Sequence, residues 1–220
     1  MIRFISLVLC LGFAAAASAG TYFDKLSSTE QNQVLSEAKQ LAKLQDVAGK
    51  PWAQITLSQW SEATPEQVCG LFADFGIHKD YMGDMLKSES HKVSQNTFDV
   101  DYVINVPIVS DEAYTVRNVL SSYDSGHSYK IVWNLVRATR TKESTGFFAC
   151  EPVSGGTFIA YQNFVDPGLS NMIARSLFDK ALAKVKATPY AVIKQLKKEL
   201  SSNPAQLEKQ IEVLRSAVGR

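Results

Sequence analysis

Between Thr97 and Val165 apolar and polar residues alternate, interrupted by short polar clusters. In Thr97–Pro107, Phe98, Val100, Tyr102, Ile104 and Val106 share one side, while Asp99, Asp101 and Asn105 share the other. In Ala113–Leu120, Tyr114, Val116, Asn118 and Leu120 oppose Thr115 and Arg117. In Tyr129–Val136, Tyr129, Ile131, Trp133 and Leu135 oppose Lys130 and Asn134. Successive side chains of a strand point to opposite faces, so the pattern predicts a sheet with one aromatic, apolar face and one wet face. Strands are predicted at Trp52–Trp60, Leu86–Ser94, Thr97–Val109, Ala113–Tyr123, Tyr129–Ala138, Gly146–Val153 and Thr157–Val165. Their separators, among them Asp111-Glu112, Asp124-Ser125-Gly126 and Ser154-Gly155-Gly156, are too short for a parallel crossover. An antiparallel meander follows. By the same alternation Arg117 points outward towards Asp99 or Asp101, a surface ion pair.

After Asp166-Pro167-Gly168 the period changes. Ile173, Leu177, Phe178, Ala181, Leu182 and Val185, then Val192, Ile193 and Leu196, recur at helical spacing. A long helix is predicted from about Ser170 to Leu200, kinked rather than broken near Thr188 because Pro189 lies inside its pattern. Asn203-Pro204 caps and opens a last helix carrying Leu207, Ile211, Leu214 and Val218. Ahead of the sheet, Ser27–Leu44 reads as a helix, opened by a capping box from Ser27 to Glu30 and ended at Gly49-Lys50-Pro51. Thr64-Pro65-Glu66 opens a shorter helix that buries Val68, Leu71, Phe72 and Phe75, and Ile77–Met85 reads as a looser helical turn. The fold class is α+β: a curved antiparallel sheet of about seven strands wrapped around one long C-terminal helix. The space between sheet and helix is the candidate site.

Residues 1–19 read as a signal peptide: Arg3 is the positive region, Ile5 to Ala17 the apolar run, and Ala17-Ser18-Ala19 the cleavage site. The apolar run falls short of the roughly 20 residues of a membrane span. The mature protein is expected to be exported, to a periplasm or outside the cell. Residues 20–50 then form an N-terminal helical extension, 51–200 the ligand-binding domain and 201–220 a C-terminal helix. Loss of the leader leaves Cys69 and Cys150 in an oxidising compartment, either as one bridge or as two buried free thiols. The net charge of +1 argues against nucleic acid as a partner.

Thr64-Pro65-Glu66-Gln67-Val68, with Leu71-Phe72-Ala73-Asp74 and Tyr81-Met82, precedes Asp99-Val100-Asp101-Tyr102, Tyr114-Thr115-Val116-Arg117-Asn118, Tyr129-Lys130-Ile131-Val132-Trp133 and Gly156-Thr157 leading to Tyr161-Gln162-Asn163-Phe164. In order and spacing, from about Pro51 to Leu200, these segments resemble the START-like helix-grip superfamily of lipid-transfer domains and polyketide cyclase/dehydrase-like proteins (SRPBCC), in particular its exported bacterial members. The resemblance implies a hydrophobic pocket for a lipid, a quinone, a polyketide or a similar apolar molecule. It does not imply catalysis, because the fold hosts many functions.

The residues themselves offer little chemistry. His78, His91 and His127 have neither the i,i+4 partner of a helical zinc site nor a nearby cysteine pair, and no Gly-x-Ser-x-Gly elbow or nucleotide loop is present. No catalytic residue, metal ligand or cofactor is assigned. The candidate ligand contacts from the sheet are Tyr102, Ile104, Tyr114, Val116, Asn118, Ile131, Trp133, Phe148, Tyr161 and Asn163; Leu177, Phe178 and Ala181 come from the helix. The aromatics either line a pocket or are ordinary core. Asn118 and Asn163 either orient a ligand oxygen or are satisfied by a neighbouring strand, a tyrosine or water. An enzyme reading would use Asn118, Tyr114 or Tyr161 to position a polyketide. Arg175, Lys180, Lys184, Lys186, Lys194, Lys197 and Lys198 make the long helix basic, either as a solvated face or as a contact to anionic membrane.

Overall fold

The computed structural model describes residues 21–36, 38–106 and 109–220, so the leader read at residues 1–19 lies outside the described residues. Eight strands form one sheet in the order β1-β2-β8-β7-β6-β5-β4-β3, every pair antiparallel. They are β1 (Leu41–Gln45), β2 (Gln54–Ser61), β3 (Met85–Lys92), β4 (Thr97–Ile104), β5 (Glu112–Tyr123), β6 (Ser128–Ala138), β7 (Glu143–Val153) and β8 (Gly156–Asp166). The helices are α1 (Ser28–Leu35), α2 (Pro65–Ala73), α3 (His78–Tyr81), α4 (Asn171–Ser202) and α5 (Pro204–Ala217). From β3 to β8 each strand pairs with its chain neighbour, as the short connections require. Helix α4 runs through the buried Pro189 without a break.

The extension departs from expectation. Its capping box forms as read: the Ser27 hydroxyl accepts from the Glu30 amide, and the Glu30 carboxylate accepts from the Ser27 amide. The helix stops at Leu35, however, and Leu41–Gln45 forms β1, the added eighth strand, instead of a last helical turn. Ala38 takes a left-handed φ of 48°, which turns the chain out of the helix. Leu41 then pairs with Ser58, and Gln45 with Gln54, along the free edge of β2. Satisfying that edge outweighs a weak helical stripe. β4 also ends at Ile104, short of the expected Val109.

Helix α2 closes one end of the concave side. Thr64 caps it, and Val68, Leu71 and Phe72 are buried as predicted, with Phe75 just beyond. Three ties hold it. Cys69 is bridged to Cys150 on β7, with 6.1 Å between their Cα atoms. Helix α5 crosses at Gly70, where a Cβ would come within 3.3 Å of the Ile211 backbone. The Glu66 carboxylate accepts from Arg215 Nη2 at 2.5 Å and from the Tyr129 hydroxyl at 2.7 Å. On the convex side Phe158, Ala160 and Ala149 form a smaller core with Val34, Phe23 and Tyr22 of the extension. The Asp99–Arg117 pair forms there with two bonds of 2.8 Å, and Asp101 accepts from Thr115 and Arg137.

Candidate functional site: a cavity between sheet and helix

The concave face and α4 enclose a cavity of about 780 Å³, inside the roughly 300–1,000 Å³ range of small-molecule sites. Strands β4, β5, β6 and β8 supply its floor through Tyr102, Ile104, Tyr114, Val116, Asn118, Trp133, Tyr161 and Asn163. Helix α4 supplies the roof, with Leu177 and Ala181 among its residues. Ten of the thirteen expected contacts therefore converge here, and Ile131, Phe148 and Phe178 do not. Ile131 and Phe148 face inward, but α2 covers that part of the sheet; the Phe72 ring stacks on Phe148 with centroids 4.1 Å apart. Phe178 turns towards Trp52, at 6.1 Å, and lines a small neighbouring pocket.

Trp133 owes its position to a glycine. A Cβ on Gly146, its register partner on β7, would lie 2.3 Å from Trp133 Cζ2. The indole thus lies against the bare backbone of β7 with Tyr161 5.7 Å away, centroid to centroid. Tyr102 and Tyr114 are similarly close, at 5.5 Å. Tyr161 accepts from Asn163 Nδ2 at 3.1 Å, which settles Asn163 as partnered by a tyrosine.

Near α2 stands a polar chain that sequence reasoning missed. His78 Nε2 lies 2.8 Å from the Phe72 carbonyl oxygen, and Nδ1 lies 2.9 Å from the Tyr102 hydroxyl. A carbonyl only accepts, so Nε2 carries the proton, Nδ1 accepts, and Tyr102 donates. Burial pushes the His78 pKa down to about 4, despite the opposing pull of the Phe72 carbonyl. Both nitrogens of the neutral ring are committed. Burial also raises the hydroxyl pKa values of Tyr81, Tyr102 and Tyr114, and pushes that of Tyr161 up to about 12.

The opposite end carries a second missed pair. Glu112, read as part of a turn, is the first residue of β5 and only 2% exposed. Its Oε1 accepts from the backbone amides of Arg140 and Thr141 at 2.9 and 2.8 Å. Oε2 stands 3.1 Å from Arg140 Nη2, yet the angles make no hydrogen bond. Among the described residues, seven buried side-chain polar atoms lack a protein hydrogen bond. Four of them belong to cavity-lining residues: Tyr81 Oη, Glu112 Oε2, Asn118 Nδ2 and Arg140 Nε. Glu112 and Asn118 lie six residues apart on β5, roughly 20 Å at strand rise, so the ion-paired Glu112 and Arg140 sit well away from Asn118. Among the described residues no cluster of His, Cys, Asp and Glu can hold a metal ion.

The chain has a START-like helix-grip fold. A STAR-related lipid transfer protein from Xanthomonas axonopodis superposes with a TM-score of 0.60 at 17% identity, covering 74% of this chain and 94% of that one. Human StAR-related lipid transfer protein 5 gives 0.57 at 12% identity, over 71% and 88% of the two chains. The Zhui aromatase/cyclase from Streptomyces sp. R1128 gives 0.53 at 14% identity, over 67% and 94%. No protein-family model and no curated protein sequence matches the chain.

Proposed function

We propose that the protein is an exported carrier that holds one hydrophobic small molecule, a lipid, a quinone or a polyketide-like compound, between the curved sheet and α4 without transforming it. The observation that carries this reading is the cavity itself: aromatic and aliphatic walls, with buried donors free of a protein hydrogen bond at Asn118 and Tyr81. Such atoms cost about 1–3 kcal/mol each when nothing pairs with them, and a ligand bearing oxygens relieves that cost. A catalytic reading, with Asn118, Tyr114 or Tyr161 positioning a polyketide, is less well supported. His78 has no free nitrogen, and the tyrosine hydroxyls are held far above the neutral range in which general acids and bases work.

Two further features support the carrier reading. The leader-like residues 1–19 and the Cys69–Cys150 bridge both suit an oxidising compartment outside the cytoplasm. Among the described residues no helix is long and apolar enough to cross a membrane. The basic face of α4 suits transient contact with anionic lipid through Arg175, Lys180, Lys186, Lys194 and Lys198; Lys184 and Lys197 already hold Asp84 and Glu62. Native mass spectrometry of freshly purified protein, followed by solvent extraction, tests the reading. A bound apolar compound of defined mass is expected, and chemical conversion of that compound by the protein would overturn the carrier assignment.

A further inference from the structure

Resting on the carrier reading, we propose that the end of the cavity beside α2 is a subsite for an uncharged flat ring carrying carbonyl oxygens, with Tyr81 and Asn118 as its specificity-determining residues. Three observations define the ligand. The walls are rings: Phe72 lies 6.5 Å from Trp133, and Trp133 5.7 Å from Tyr161, centroid to centroid. Trp133 is held flat against β7 by the missing Cβ of Gly146. A planar ring covers such surfaces better than a flexible chain, because offset stacking adds to area burial.

The polar groups fix the ring's substituents. Asn118 is 3% exposed, lines the cavity, and its Nδ2 has no protein acceptor. An amide nitrogen only donates, so its missing partner is a lone pair. The Tyr81 hydroxyl, equally without a partner, supplies a second donor. Both match carbonyl oxygens.

The neighbours disfavour an anion. Tyr102 spends its proton on His78 and shows only lone pairs to the cavity, which repel an anion. Of the cations lining the cavity, Arg140 is paired with Glu112 at the far end and Lys184 with Asp84. Lys180 lines the cavity from the exposed side of α4. A carboxylate head is therefore disfavoured beside α2, where it meets the Tyr102 lone pairs and a lysine already paired with Asp84.

Equilibrium dialysis with 2-methyl-1,4-naphthoquinone, 2-methylnaphthalene and oleic acid separates these claims, since the first two share a ring and differ in the oxygens. Wild type is expected to prefer the quinone to the naphthalene by about tenfold or more. Tyr81→Phe and Asn118→Leu should each lose roughly three- to tenfold for the quinone and nothing for the naphthalene, the size of one hydrogen bond. Equal binding of the two rings, or a preference that survives both substitutions, overturns the subsite while leaving the carrier reading intact. Binding of oleic acid alone does the same. If none of the three probes binds, the carrier reading falls and the subsite with it. Tyr81→Phe removes an atom with no protein partner and keeps the ring, so it decides the matter even if Asn118→Leu fails to fold. In wild type the infrared carbonyl band of the bound quinone should lie below its position in hexane and return towards it in Tyr81→Phe; an unchanged band in the variant also contradicts the proposal.

Discussion

Two buried carboxylates on opposite faces of the sheet are treated in opposite ways. Glu151, on the convex face, is 1% exposed and has both oxygens hydrogen-bonded: it accepts from the Tyr22 and Phe23 amides and from the Tyr123 hydroxyl at 2.7–2.9 Å. Around it Tyr22 stacks on Phe147, and Lys130 donates to the Tyr22 hydroxyl. Glu112, facing the cavity, is 2% exposed, with one oxygen bound to two amides and the other ion-paired with Arg140 but without a hydrogen bond. Burial alone does not distinguish them. A buried carboxylate with both oxygens hydrogen-bonded by the chain is structural, because an unpaired buried charge is among the costlier defects a fold can carry. Missing hydrogen bonds recur at Asn118, Tyr81 and Arg140 around one cavity, where the carrier reading puts the ligand.

This contrast can be broken at three places, and the largest effect belongs to the convex face. Glu151→Ala leaves two amides and a hydroxyl without their acceptor and should cost roughly 3–5 kcal/mol in urea unfolding, with ligand binding per folded molecule unchanged. A loss below about 1 kcal/mol would mean that the segment around Tyr22 is not held as described. Next comes pH. His78 has a pKa of about 4 in the folded protein against a usual 6.5. The unfolded chain therefore takes up that proton first as pH falls. Stability should be full above about pH 6.5 and drop by roughly 3 kcal/mol by pH 4. Glu66, held low chiefly by its bond to Arg215, adds a loss of the same sign only below about its usual 4.5. In His78→Asn the slope between pH 6.5 and 4 should flatten; an unchanged slope would show that another group titrates there. The smallest effect is at Asn118. Asn118→Leu removes a donor that pairs with nothing in the chain, so stability without ligand should change by less than about 1 kcal/mol. A larger loss would place Asn118 with Glu151 among the structural groups.

The parts legible in sequence were those written in a local period or motif. Alternation assigned the faces of β4, β5 and β6, including the outward Arg117 that meets Asp99, and turn lengths gave the antiparallel order. The Thr64 cap with Pro65 and the Ser27–Glu30 box were readable because the chemistry lies within four residues. Strand β1 was not: it is exposed along nearly all its length and exists by pairing with β2, so no alternation betrays it. Periodicity also gives a face but no depth. Ile131 and Phe148 share the concave side with Trp133, yet only contact with α2 decides that they are core. His78, Glu112 and Arg140 carried no signal, since their partners lie 6 to 29 residues away and meet only after the sheet curls.

The central claim is that an apolar molecule occupies the space beneath α4, and a cavity-filling substitution tests it most directly. Ala181 lines the cavity from the roof, so Ala181→Trp places an indole where the ligand would sit. Native mass spectrometry of wild type and variant, each with excess N-phenyl-1-naphthylamine, should show one probe on each wild-type molecule and none on the variant, with both proteins folded. Equal occupancy in the two, or no binding to wild type, would contradict the account.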